Sequence, residues 1–251
     1  MALSTEATIT LNPPYHLRDG ATPSHFTPSN LPWITGTWHT THSTNAEEQS
    51  SKRNARICLS LIRGSNSSSS DSEGSGSDSD EMEPDKDRIL AVRSYQDLTS
   101  ARIQDVGQTD LFLDELDQGF TQVNGPIMRQ RWEILAWGKE GQLEEWMNDD
   151  GSGWIVDNSG EARPDWRNSY VVVYIGNDLG KLKNVGEGTI EIWDRFGPSG
   201  PLREETVEKI REALRGLGGK DERFAKLAQR LERMRMDEGR RSEDEARIRG
   251  Y

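Results

Sequence analysis

The sequence predicts a mainly β protein, a single eight- to nine-stranded antiparallel up-and-down barrel with C-terminal α-helices. Three observations carry that expectation. Short runs of period two, rich in Thr, Val, Ile and aromatic residues, recur between residues 36 and 194. No helical pattern of about 10 to 15 residues separates them, so the crossovers that a parallel sheet needs are missing. Turn chemistry such as Asn124-Gly125 and Asp149-Asp150-Gly151 stands between the runs. A meander of eight such strands can close on itself, which removes both sheet edges and leaves an interior for side chains or one small ligand.

The elements follow in order. Residues 1–30 contain Pro13, Pro14, Pro23 and Pro28 and no sustained period, and read as an irregular arm. Leu31-Pro32-Trp33-Ile34 suits a short turn or 3₁₀ segment that opens a barrel domain over 31–200. Strands are expected at 36–44, 55–63, 88–96, 101–107, 119–124, 128–138, 143–147, 169–175 and 189–194. The Ser, Gly, Asp and Glu tract at 66–87 buries too little apolar surface to offset ordering entropy, and is expected to be a disordered insertion between neighbouring strands. Its Ser68-to-Asp71 and Ser75-to-Asp78 spacings suit an acidophilic kinase. Residues 151–168, with Pro164 and several glycines, read as a loop.

After Gly197-Pro198-Ser199-Gly200-Pro201 the period becomes helical. Val207, Ile210, Leu214 and Leu217 form one stripe, with Glu204, Glu205 and Glu208 near the start, where the macrodipole favours acids. Phe224, Leu227, Ala228, Leu231 and Met234 form a second stripe. Helices are therefore expected over 201–236 and a charged, frayed tail over 237–251.

Composition narrows the function classes. Hydrophobic residues are 32% of the 251, and mean hydropathy is −0.83. Eight tryptophans, most beside β-branched residues, argue for a packed sheet nonetheless. Of the net charge of −12, eight acids and one lysine between Asp71 and Asp87 account for seven, leaving about −5 for the rest. No basic stripe is present to bind phosphate backbone, so no nucleic acid partner is expected. Cys58 is the only cysteine, which excludes an intrachain disulfide and any paired-cysteine site, and a small buried hydrophobe is its expected role. No apolar run reaches the roughly 18 residues of a membrane span, and the first residues lack a secretory pattern. A cytoplasmic protein is the expectation. His16, His25, His39 and His42 make no metal-binding pair, so neither metal nor cofactor is expected.

Trp33-Ile34-Thr35-Gly36-Thr37-Trp38-His39 opens the first strand; Ser94-Tyr95-Gln96, Trp132-Glu133-Ile134-Leu135-Ala136-Trp137-Gly138 and Ile190-Glu191-Ile192-Trp193-Asp194-Arg195 follow in order. These pieces resemble lipocalins and other calycins, and are most similar to fungal lipocalin-like proteins of undefined function. The resemblance covers roughly residues 31 to 217 without the acidic insertion. It implies a calycin-like barrel closed at one end by Trp38, with Arg195 stacked over that ring as a structural partner. A haem-binding calycin would need a histidine late in the barrel, and none occurs after His42.

With Trp38 pointing inward, alternation sends Thr40, His42 and Thr44 inward and His39 outward. The candidate ligand-binding residues are His42, Tyr95, Trp132, Glu133, Tyr174 and Trp193, aromatic surfaces with polar tips and two groups able to move protons. Arg93 and Glu191 also lie in strand patterns, where solvated, outward placement is the expectation for a charged side chain. Three working modes remain open. The barrel can bind a small hydrophobic or aromatic molecule. It can act as an isomerase or cyclase on a small metabolite through His42, Glu133 and Tyr95. Or it can be a scaffold that meets a protein partner through its acidic tract or C-terminal helix.

Overall fold

The computed structural model describes residues 9–18, 31–63, 87–114, 119–124, 128–139, 154–156, 162–164, 169–178, 188–195, 202–219 and 221–237. The strand expected at 143–147, nearly all of the acidic insertion and the tail after Asp237 lie outside them. A one-turn helix α1 (Leu31–Ile34) precedes β1 (Gly36–Ser43), α2 (Ala46–Ser51), β2 (Lys52–Ile62), β3 (Arg88–Asp97), β4 (Ile103–Asp114), β5 (Gly119–Asn124) and β6 (Met128–Lys139). Then come β7 (Trp154–Val156), β8 (Ala162–Pro164), β9 (Ser169–Asp178), β10 (Thr189–Asp194), α3 (Glu204–Gly218), α4 (Glu222–Gln229) and β11 (Glu232–Arg233).

Every strand pairing is antiparallel, in the order β1-β2-β3-β4-β5-β6-β9-β10, and β10 returns to β1 to close an eight-stranded barrel. β11 adds a ninth strand to β1, and β7 and β8 pair separately, as a short hairpin within the stretch expected to be a loop. The barrel is thus lipocalin-like in architecture, up-and-down with helices after the last strand.

Two hydrophobic clusters lie on the two faces of the wall. The inner one joins Trp33, Ile34, Trp38, Ile57, Leu59, Ile89, Leu111, Phe120, Trp132, Ile134, Val171, Val173 and Trp193. The outer one joins Leu135, Tyr170, Val172, Tyr174, Ile190 and Ile192 to the helices, through Val207, Ile210, Leu214, Phe224 and Leu227. Val207, Ile210 and Leu214 are fully buried, each contributing about 1.5–3 kcal/mol of transfer free energy. The arm contributes too: Ile9 and Leu11 are buried in the outer cluster, and Asn12 N–H donates to Leu135 O at 2.7 Å. Strands β9 and β10 are therefore buried on both faces, which is why 171–173 and 190–193 read as nearly continuous apolar runs.

At one end, α1 plugs the barrel. Trp38 Nε1 donates to Ile34 O at 2.7 Å, and Trp33 and Trp38 meet edge to face at 5.3 Å. Arg195 lies 4.0 Å from the Trp38 ring and donates to Trp33 O at 2.6 Å and to Thr35 O. Gly36 has φ +106°, a conformation that disfavours a side chain, and turns the chain from plug to strand.

Three departures from the sequence-based expectations have clear causes. The second apolar stripe does not stay helical: α4 ends at Gln229, and Leu231 and Met234 continue as an extended strap whose Met234 N–H donates to Thr41 O at 2.8 Å. Cys58 is exposed, because its neighbours Ile57 and Leu59 take the inner face. β4 runs to Asp114 rather than stopping at Gly107, where a positive φ of 98° accompanies a bulge in the middle of the strand.

Candidate functional site

Pairing in register assigns each wall residue to a face, because directly opposed residues share one. Ile57, an inner residue, opposes Arg93, and Val173, another inner residue, opposes Glu191. Both charged side chains therefore enter the barrel. They form a two-pronged ion pair, Arg93 Nη1 donating to Glu191 Oε1 at 2.9 Å and Nη2 to Oε2 at 3.0 Å. Trp193 Nε1 donates to Glu191 Oε2 at 2.6 Å, so the carboxylate accepts three hydrogen bonds. The guanidinium lies 4.8 Å from the Trp132 ring, and Trp132 Nε1 donates to Gln122 Oε1 at 3.1 Å. Trp132 and Trp193 meet at 6.0 Å, edge to face.

This tier divides the barrel. Toward the plugged end, Trp38, Ile57, Leu59, Ile89 and Val171 fill the interior with no more than 1% of their surface exposed. At the tier Glu191 is 1% exposed, but the Arg93 side chain is 25% exposed although it points inward. Beyond it, Tyr95 and Ile175 are only partly buried. Lys52 Nζ sits 4.6 Å from the Tyr95 ring and pairs with Glu48 of α2 at 2.9 Å. Tyr95 Oη donates to Gln104 Oε1 at 3.4 Å. The helix α2 that carries Glu48 is set by Asn45, whose side chain accepts from the N–H groups of Glu47 and Glu48.

Charges in this tier are locked. Burial opposes the Arg93 charge, but the Coulomb attraction and hydrogen bonds of Glu191, with help from Glu48, outweigh it and raise its pKa. Accepting three hydrogen bonds and only 1% exposed, Glu191 is an orienting carboxylate rather than a free general base. Among the described residues no three His, Cys, Asp or Glu side chains converge to hold a metal ion, and no helix is long and apolar enough to cross a membrane.

The residues expected to form a site divide between the two faces. Tyr95, Trp132 and Trp193 are inside. Glu133 and Tyr174 oppose each other across β6 and β9 on the outer face. Glu133 accepts from the Tyr15 N–H at 2.6 Å and lies 3.6 Å from Arg18 of the arm. Burial, followed by the charges of Glu133 and Asp221, pushes the Tyr174 hydroxyl up to about 12.

His42 is also outside, contrary to the alternation counted from Trp38. Thr40 opposes the inner Trp193, but His42 opposes the outer Ile192, because a bulge at Thr41 inserts one extra residue. There His42 Nδ1 meets Thr41 Oγ1 at 3.2 Å, while Nε2 is buried with no hydrogen-bond partner among the described residues. Burial and then the charges of Arg211 and Arg233 bring its pKa down to about 4. His42, Glu133 and Tyr95 are consequently not brought together. Arg93 and Glu191, expected from the sequence to face solvent, are inside instead, because each neutralises the other there; Trp193, two positions from Glu191 on the same strand, marks their face.

No family model and no curated protein matches the sequence. Among solved structures the chain is similar to apocrustacyanin C2, at 12% identity over 83% of this chain and 80% of that one, TM-score 0.43. It is similar to lobster apocrustacyanin A1, at 10% identity over 90% and 91%, TM-score 0.44. It is also similar to the cockroach allergen Per a 4, at 11% identity over 87% and 95%, TM-score 0.44. At these scores the fold rests on the strand order, register and closure of the chain itself.

Proposed function

We propose that the protein binds a small hydrophobic or aromatic molecule in the half of the barrel between the Arg93 tier and α2, as a cytoplasmic, lipocalin-like protein of the type seen in fungi. One observation carries the binding reading: Arg93 points into the barrel and is tied to a buried carboxylate, yet a quarter of its side chain remains accessible. Unfilled space with an aromatic wall and a few placed polar groups is what a small-molecule site requires. Tyr95, Trp132 and Trp193 supply the contact surface in this reading.

A panel of lipids and aromatic metabolites, titrated against the protein and followed by native mass spectrometry and tryptophan fluorescence, tests it. Saturable one-to-one binding is expected, abolished by Ile175→Trp, which fills the partly open inner wall. A panel in which nothing binds would overturn the reading. The catalytic alternative loses its trio to the split between faces. The scaffold alternative keeps only the acidic tract, since Phe224, Leu227, Leu231 and Met234 are already buried.

A further inference from the structure

A guanidinium carries five N–H groups and no acceptor. Arg93 gives one from Nη1 and one from Nη2 to Glu191, and its remaining N–H groups have no acceptor among the described residues, although a quarter of the side chain is exposed. The other polar groups of the tier are already engaged, and Glu191 is only 1% exposed. Trp193 N–H goes to Glu191, Trp132 N–H goes to Gln122, and the Glu191 oxygens already accept three bonds. The spare capacity at the cavity floor is therefore for donating.

It is also uncharged overall, because Glu191 cancels Arg93 at 2.9 Å. Toward the mouth Glu48 cancels Lys52 at 2.9 Å, and Asp97, accepting from Gln104, adds a further negative charge at the rim. An anion entering this space would lose its hydration beside Glu191 with no net positive charge to replace it. A cation would find no exposed carboxylate on the floor, since Glu191 is 1% exposed and tied to Arg93. A hydrocarbon would leave the Arg93 N–H groups stripped of water and unpaired.

Resting on the binding reading above, we propose that the natural ligand is a neutral apolar molecule bearing a carbonyl oxygen, which accepts from the free N–H groups of Arg93. The oxygen sits on the Arg93 tier, and the apolar body lies among Tyr95, Ile175 and the rim.

Four shape-matched probes test this by equilibrium dialysis against the full-length protein: 2-acetylnaphthalene, 2-ethylnaphthalene, 2-naphthoate and 2-naphthylmethylammonium. The ketone is expected to bind about tenfold or more tightly than the hydrocarbon and than either ion, the value of one hydrogen bond to a charged donor. In Arg93→Met/Glu191→Leu, where both partners become apolar, that preference should vanish while the hydrocarbon still binds. Equal binding of ketone and hydrocarbon by the unaltered protein, or a preference for naphthoate, would overturn the carbonyl inference and leave the cavity standing. Retention of the ketone preference in the double variant would do the same. If none of the probes binds, both the inference and the binding reading fall. Should the double variant not fold, the ranking on the unaltered protein decides alone.

Discussion

His42 shows how much one inserted residue changes a side chain's role. The bulge at Thr41 carries it from the inner face to a buried outer position beneath Arg233 and near Arg211, where it stays neutral down to about pH 4. Above pH 6.5 the imidazole is neutral in both folded and unfolded chains and has no effect on the pH dependence. Below that, the unfolded chain takes up a proton that the folded one refuses, so the stability contributed by the neutral form falls as pH falls toward 4. The loss over this window is about 3 kcal/mol. Urea unfolding of the wild type and His42→Asn at a series of pH values checks this. The advantage of the wild type should shrink by that amount between pH 6.5 and 4, and parallel curves would refute it.

At the scale of the element, the strap after α4 closes a gap in the wall. β1 leaves β2 after His39, and residues 231–237 enter there: β11 pairs with His42 and Ser43, and Asn54 N–H donates to Arg235 O at 2.9 Å. Asn54 is the anchor. Its side chain donates to Gln96 Oε1 and to Asp237 Oδ1, both at 2.7 Å, and accepts from Asp237 N–H at 2.8 Å, with its own backbone at φ 50°. Asn54→Gly keeps the backbone conformation and loses the hydrogen bonds; Asn54→Ala loses both. The expected order of stability is wild type, Gly, Ala, with the alanine variant lower than wild type by about 2–4 kcal/mol. Thermal unfolding measures the order, and hydrogen exchange at Asn54 and Met234 should rise in both variants.

At the scale of the whole molecule, the described barrel is held by closure and by two hydrophobic clusters. β2 and β3 are paired out to Ile62 opposite Arg88, so the ends of the intervening segment are already adjacent. Replacing residues 65–86 with a short Gly-Asn turn should leave the barrel folded and raise stability by about 1 kcal/mol through loop closure. A loss of cooperative unfolding in that variant would show that the segment packs on the barrel. Most of the architecture was legible in the sequence, because period-two runs without crossover helices specify an antiparallel meander whatever the partners are. Trp38 and Arg195 could be picked out, and they meet in the structure. The strap was not legible: Leu231 and Met234 keep helical spacing with Phe224 and Leu227, and only the open edge of β1 draws them into a strand. Nor was the site, for alternation assigns faces only until a bulge shifts it, as at Thr41 in β1 and at Leu135 in β6. The amino-acid sequence by itself determined strand number and pairing sense, which depend on local periodicity, while the closed end at Trp38 and Arg195 followed only from the resemblance of its motifs. Only the tertiary structure decided which charges went inside, because Arg93 and Glu191 are stable there solely through each other and through the tryptophans of β6 and β10.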